Sequence, residues 1–118
     1  MANIYNIVYT ALATLGYEVR EQGTFSEDDT LPSTFITYNL ISKGDIRHSD
    51  NEPTSNVSRV QVALYSTDPA LKQAADGSLF TVMKAAGFMR AGGRDLPFDP
   101  VSGHFGYACD FRLYQEEV

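Results

Sequence analysis

Two stretches of alternating side chains, residues 34–41 and 57–65, constrain this chain more than any other feature. In the first, Ile36, Tyr38 and Leu40 share one face, and Phe35, Thr37, Asn39 and Ile41 share the other. In the second, Val60, Val62 and Leu64 point one way, and Arg59, Gln61, Ala63 and Tyr65 the other. A period of two belongs to half-buried strands. One face is clearly apolar, as in an antiparallel pair covered on a single side. Residues 42–55 between them are too polar to pack and too long for a tight hairpin turn. Loops beyond about 12–15 residues inside a compact domain are usually functional or disordered. The expectation is a small scaffold that holds out a flexible arm at 42–55.

Two helical stripes accompany these strands. Asn3 is placed to cap a first helix, in which Ile4, Ile7, Val8, Ala11, Leu12 and Leu15 fall on one face and Gly16 terminates. Tyr5 and Tyr9 flank that stripe, either to cover the core edge or to meet a neighbour. Asp68 and Pro69 start a second helix whose inner stripe is Leu71, Ala75, Leu79, Val82, Met83 and Ala86. Gly77 is a candidate break in it, since glycine costs about 1 kcal/mol against alanine in a helix. Phe80 lies off the stripe, so it is either covered by a loop or available to a partner.

Residues 17–20 read as a short edge strand, 22–32 as an acidic loop, 88–91 as a short strand and 92–103 as turn. Residues 105–114 alternate again, with Phe105, Tyr107, Cys109, Phe111 and Leu113 inward and Ala108, Asp110 and Arg112 outward. A chain of 118 residues with 43% apolar content makes one domain with one core, spanning 1–118. The expected fold is a two-layer α+β sandwich: a mainly antiparallel sheet of about four strands with two helices on one face.

The chemistry expected is slight. His48 and His104 stand at no ligand spacing. The acids at Glu27, Asp28 and Asp29, and at Asp45, Asp50 and Glu52, lack the calcium-loop pattern. Asp95 and Asp99 flank Pro97 without an acid or base partner. Gly-rich phosphate signatures are absent. The single cysteine, Cys109, reads as a small buried hydrophobe in a strand. No catalytic residue, metal site or cofactor is expected. The net charge of -6, with a pI near 4.7, argues against a duplex nucleic acid as partner. Neither a signal peptide nor a membrane span is expected.

The ordered set of segments resembles the tail-completion or tail-terminator proteins of long-tailed bacteriophages, also called tail-to-head joining proteins. The resemblance rests on the helix at 4–16 leading to Tyr17, Glu18 and Val19, and on the proline-led strand of Phe35, Ile36, Thr37 and Tyr38. It continues through the polar arm, the run at 58–68, the second helix, and residues 97–104 leading into Asp110, Phe111, Arg112, Leu113 and Tyr114. The resemblance implies an α+β subunit of a six-fold ring that caps the tail tube and meets the neck of the filled head. The implied partners are other copies of itself, the tube protein and a neck or stopper protein, with no membrane, no specific nucleic acid, and a ring wide enough for DNA to pass. The implied location is the virion tail or neck, and the host cytoplasm during assembly. The arm would supply ring or tube contacts, with Ile46 as apolar anchor and Lys43, Asp45, Arg47, His48, Asp50 and Glu52 as polar and charged partners; Phe80 is a further interface candidate. The acidic stretch at 22–31 has no place in the family pattern.

Three other readings compete. A head-completion or neck adaptor is expected to be mostly helical or a small β-barrel. A small α+β enzyme or ligand-binding domain needs a pocket with convergent polar groups, for instance His104, Asp99 and Cys109 together. A dimeric module of a cellular protein would ignore tail tubes.

Overall fold

The computed structural model describes residues 3–24, 30–47 and 53–116. Along the chain run α1 (Ile4–Ala13), β1 (Glu18–Glu21), β2 (Thr34–Arg47), β3 (Pro53–Ser66), α2 (Pro69–Gln73), α3 (Ala75–Ala85), β4 (Met89–Asp99) and β5 (His104–Glu116). The strands form one five-stranded sheet in the order β1-β2-β3-β5-β4. β1 lies parallel to β2, and every other neighbouring pair is antiparallel. The α+β class stands, with five strands rather than about four.

Each helix forms for local reasons and stays for tertiary ones. Asn3 Oδ1 accepts the Tyr5 amide at 2.8 Å, and Gly16 turns the chain away at φ 86°. Ile4, Val8, Ala11 and Leu12 are buried against the sheet. The second helical stripe divides in two. The break falls at Ala74 rather than Gly77, which sits inside α3. α2 buries none of its residues, whereas α3 buries Ala75, Leu79 and Met83. The turn at Ala74 lets the core-facing stripe begin afresh at Ala75.

Register places Ile36 and Leu64, Tyr38 and Val62, Val62 and Cys109, and Val60 and Phe111 side by side. These residues share one cluster with α1 and α3, so both helices cover the same sheet face. Burying a large apolar side chain there contributes roughly 1.5–3 kcal/mol.

Three strand details depart from expectation. Ile41 falls in a register shift between Leu40 and Ser42 and is 45% exposed, so it does not continue the Phe35 face. Phe105 is only half-buried and packs on Phe98, with ring centroids 4.6 Å apart. The turn expected at 92–103 is mostly strand β4, through Gly92, Gly93 and Pro97. β4 is the sheet edge, where proline's missing amide and a glycine bulge are tolerated.

Candidate assembly interface

The pairing of β2 and β3 continues well past the apolar core. Ser42 opposes Arg59, Lys43 opposes Ser58, Gly44 opposes Val57, Asp45 opposes Asn56, Ile46 opposes Ser55 and Arg47 opposes Pro53. β5 follows on the other side of β3 as far as the pair of Ser55 with Glu116. This corrects the expected extent of the arm: 42–47 and 53–55 are sheet. Polar side chains do not prevent pairing, because the ladder is made by backbone groups that every residue carries. Lys43 is exposed on this extension. Asp45, Ile46 and Arg47 are brought onto the same ladder. His48, Asp50 and Glu52 lie outside the described residues. The extension helps to make the molecule long, at 53 × 28 × 24 Å.

Phe80 is separate from that group. It is partly buried against the core, and the Arg90 guanidinium lies 4.7 Å from its ring centroid. Lys84 Nζ sits 5.6 Å from the same centroid. A residue of β4, not a loop, covers this aromatic. Arg90 Nη1 also donates to Asp76 Oδ2 at 2.8 Å, which ties β4 to α3.

α1 is without a charged side chain along its length. Tyr5 and Tyr9 remain 38% and 49% exposed, yet both stand close enough to Tyr38 to influence its hydroxyl. Burial chiefly pushes the Tyr38 pKa up, followed by the Glu21 carboxylate and then the two tyrosines. Both rings thus stand near Tyr38 and face outward. Between α1 and α3 runs an open apolar groove of about 580 Å³, whose lining includes Ile7, Thr10, Ala11, Val82, Ala85 and Ala86. The small side chains leave the concavity. An uncharged surface with tyrosines is the composition found at interface centres.

At one end of β4 and β5 the turn between them projects Val101, which is 95% exposed, beside Phe98 at 48%. Asp99 accepts the Val101 amide and the Ser102 hydroxyl at 3.0 Å each, and its own carbonyl accepts the Gly103 amide at 2.8 Å. The Val101 amide foremost, with Ser102, holds the Asp99 carboxyl below its ordinary range. From sequence, 97–103 reads as turn and contributes to the family resemblance, with no contact role assigned to it. Its recognisable signal was Asp99 before Pro100 and Ser102, an Asx-turn composition.

The opposite sheet face carries a polar recess of about 170 Å³ lined by Thr37, Asn39, Gln61, Tyr65 and Arg94, among others. Arg59 pairs there with Asp110 at 3.5 Å. Six of the 15 carboxylates, Glu27, Asp28, Asp29, Asp50, Glu52 and Glu117, lie outside the described residues, and none of the nine Lys and Arg does. The described body is thus close to charge-neutral. The acidity expected of the protein as a whole resides in short local segments.

The residues of a conceivable reactive centre are engaged elsewhere. His104 is buried, and its Nε2 donates to the Pro32 carbonyl at 2.8 Å. Asp99 caps its own turn. Cys109 is fully buried, and burial first, then the Asp76 charge, pushes its thiol up to about 11. Such a thiol is a poor nucleophile near neutral pH. Among the described residues, no three metal-ligating side chains stand together, and no helix is long and apolar enough to cross a membrane.

No protein-family model matches this chain, and no curated protein matches it.

Proposed function

We propose that this protein is a structural assembly factor of a long-tailed bacteriophage, which caps the finished tail tube as a ring and joins the tail to the neck. The observation that carries this reading is the β2–β3 ladder, which extends past the bulge at Ile41 to Arg47 and Pro53 with polar strands. Residues 41–44 of β2 are exposed along it, while Ser58 and Asn56 of β3, opposite Lys43 and Asp45, are buried. A paired ladder of polar residues offers a surface to neighbouring subunits and to the tube. The charge-free, tyrosine-bearing α1 supports the same reading from another side of the molecule. The helix-and-sheet composition favours a terminator over a helix-dominated neck adaptor. The protein then acts by contact and not by catalysis, with copies of itself, the tube protein and a neck protein as partners. It works in the host cytoplasm during assembly and remains at the tail–neck junction of the virion.

A heterologous contact that closes at a fixed rotation makes a ring. The test is electron microscopy of tails assembled with and without the protein. Tubes of defined length ending in a ring are expected with it, and overlong tubes without it. Unchanged tube length and an unoccupied tube end would sink the assignment.

A further inference from the structure

Register lines up one row of residues straight across the sheet, on the face away from α1 and α3. Thr37 of β2 opposes Ala63 of β3, Ala63 opposes Ala108 of β5, and Ala108 opposes Arg94 of β4. Neighbouring strands lie about 4.8 Å apart, which puts the backbones of Thr37 and Arg94 roughly 14 Å from each other. The two alanines between them leave a hollow, the recess of about 170 Å³. Ala63 and Ala108 are buried at its floor. The flanking rows supply the walls, with Tyr65 and Leu96 on one side and Asn39 and Gln61 on the other. The Tyr65 wall is fixed in place. Its ring stacks on Phe35, with centroids 5.0 Å apart, and lies over bare Gly106, where a Cβ would stand 3.0 Å from it.

We propose that this recess is a carboxylate site, which receives an aspartate or glutamate side chain presented by another protein. Arg94 is the one charged residue in its lining, and among the described residues it has no ion pair. The carboxylates that register places in the flanking rows are taken: Asp110 lies 3.5 Å from Arg59, and Glu18 lies 2.8 Å from Arg20. Nothing acidic in the lining therefore competes for the Arg94 guanidinium. The side chains of Thr37, Asn39 and Gln61 and the Tyr65 hydroxyl are likewise without a hydrogen bond among the described residues, and each can donate one. A carboxylate matches this set. The guanidinium fork offers it two parallel N–H groups, and the amides and hydroxyls are donors for its remaining lone pairs. One cation in a neutral lining balances one negative charge. Few atoms fit the hollow, so a free acid gains little by entering it. The exposed sheet face around it, with Arg112 and Tyr114, gives a larger surface for the protein that carries the acid. Such a site serves the chain whether or not it forms a ring.

Backbone amide NMR shifts of the full chain test the site, with an alternating Asp-Gly peptide as probe. Its Asn-Gly counterpart and a single-stranded oligothymidylate are the comparisons. At physiological salt the Asp-Gly peptide is expected to shift the amides of Ala63, Ala108 and Arg94, and the Asn-Gly peptide to leave them in place. Arg94→Gln is expected to weaken binding about tenfold or more. Arg112→Gln, on the same face outside the recess, is expected to weaken it by less than about threefold. Circular dichroism and Tm should hold in both variants, because both side chains are exposed. Equal losses in the two variants overturn the site, since they show diffuse attraction to the whole face. Equal shifts with the Asn-Gly peptide overturn it, and so does the absence of shifts at millimolar peptide. An oligothymidylate that displaces the Asp-Gly peptide and loses more affinity on Arg94→Gln than the peptide does assigns the recess to phosphodiesters, and the carboxylate reading falls. Tube length, which tests the ring, is a separate readout that none of these results moves.

Discussion

The Tyr107 hydroxyl donates to Asp76 Oδ1 at 2.8 Å, across the bare backbone of Gly93. A Cβ at Gly93 would collide with that hydroxyl and approach the Tyr107 Cζ to 2.7 Å. Glycine at this β4 position thus opens the lane through which β5 reaches α3. Asp76 takes Arg90 on its second oxygen, and so links α3 to β4 and β5 together.

Coupling between Gly93 and Tyr107 is the first consequence. Tyr107→Phe is expected to cost about 1–2 kcal/mol, the range for a hydrogen bond to a charged acceptor after exposure is allowed for. Gly93→Ala displaces the tyrosine ring and loses the same bond, so its cost should be similar. In urea unfolding, the double variant should be far less destabilised than the sum of the two. Strict additivity would show that the ring does not depend on the glycine.

Alkaline sensitivity follows from the same contact. Burial first, then the bond to Asp76 and its charge, pushes the Tyr107 pKa up to about 12 from an ordinary 10.0. Burial likewise raises Cys109 to about 11 from 9.0, and raises Tyr65 and Tyr38. A raised folded-state pKa means that the folded state holds its proton longer than the unfolded chain. The contribution is complete below the unfolded pKa and is lost as pH rises through the folded one. Stability should therefore fall between about pH 9 and 12, and Tyr107→Phe should flatten the upper part of that decline. Denaturant midpoints across this range are the measurement.

Cys109 should be silent in the folded protein. It is fully buried, and its thiol is shifted away from ionisation. At pH 8 a thiol-reactive chromogen is expected to label less than a few per cent of the chain natively and all of it in denaturant. Rapid native labelling would place the β5 core open to solvent.

Core and extension should respond oppositely to mutation. Leu79→Ala empties a fully buried position on α3 and is expected to cost about 2–5 kcal/mol in urea unfolding. Lys43→Glu changes an exposed side chain on the β2 extension and is expected to stay within about 0.5 kcal/mol. If the proposed function holds, Lys43→Glu lowers the fraction of tubes capped in vitro, while Leu79→Ala acts only through loss of folded protein.

Much of the scaffold was legible in the chain. Period-two alternation located the inward residues Ile36, Val60, Val62, Leu64, Cys109 and Phe111, all of which are buried. Helical spacing located Val8, Leu12, Leu79 and Met83, which are buried too. These signals survive because burial acts on each side chain and leaves its period in the sequence. The solvated parts of the sheet left none. β2 beyond Ser42 and β4 through Gly92 and Gly93 are held by backbone pairing, to which side chains testify weakly.

Sequence alone determined the α+β class, the apolar face of the central strands, the capped helix starts at Asn3 and Asp68, and the inert setting of Cys109. Tertiary structure decided the reach of β2 and β4, the division of the second helix at Ala74, the covering of Phe80 by Arg90, and the meeting of Tyr107 with Asp76 over Gly93. The first set follows from local preference and burial, which act residue by residue. The second depends on which segments become neighbours, and no single stretch of chain carries that information.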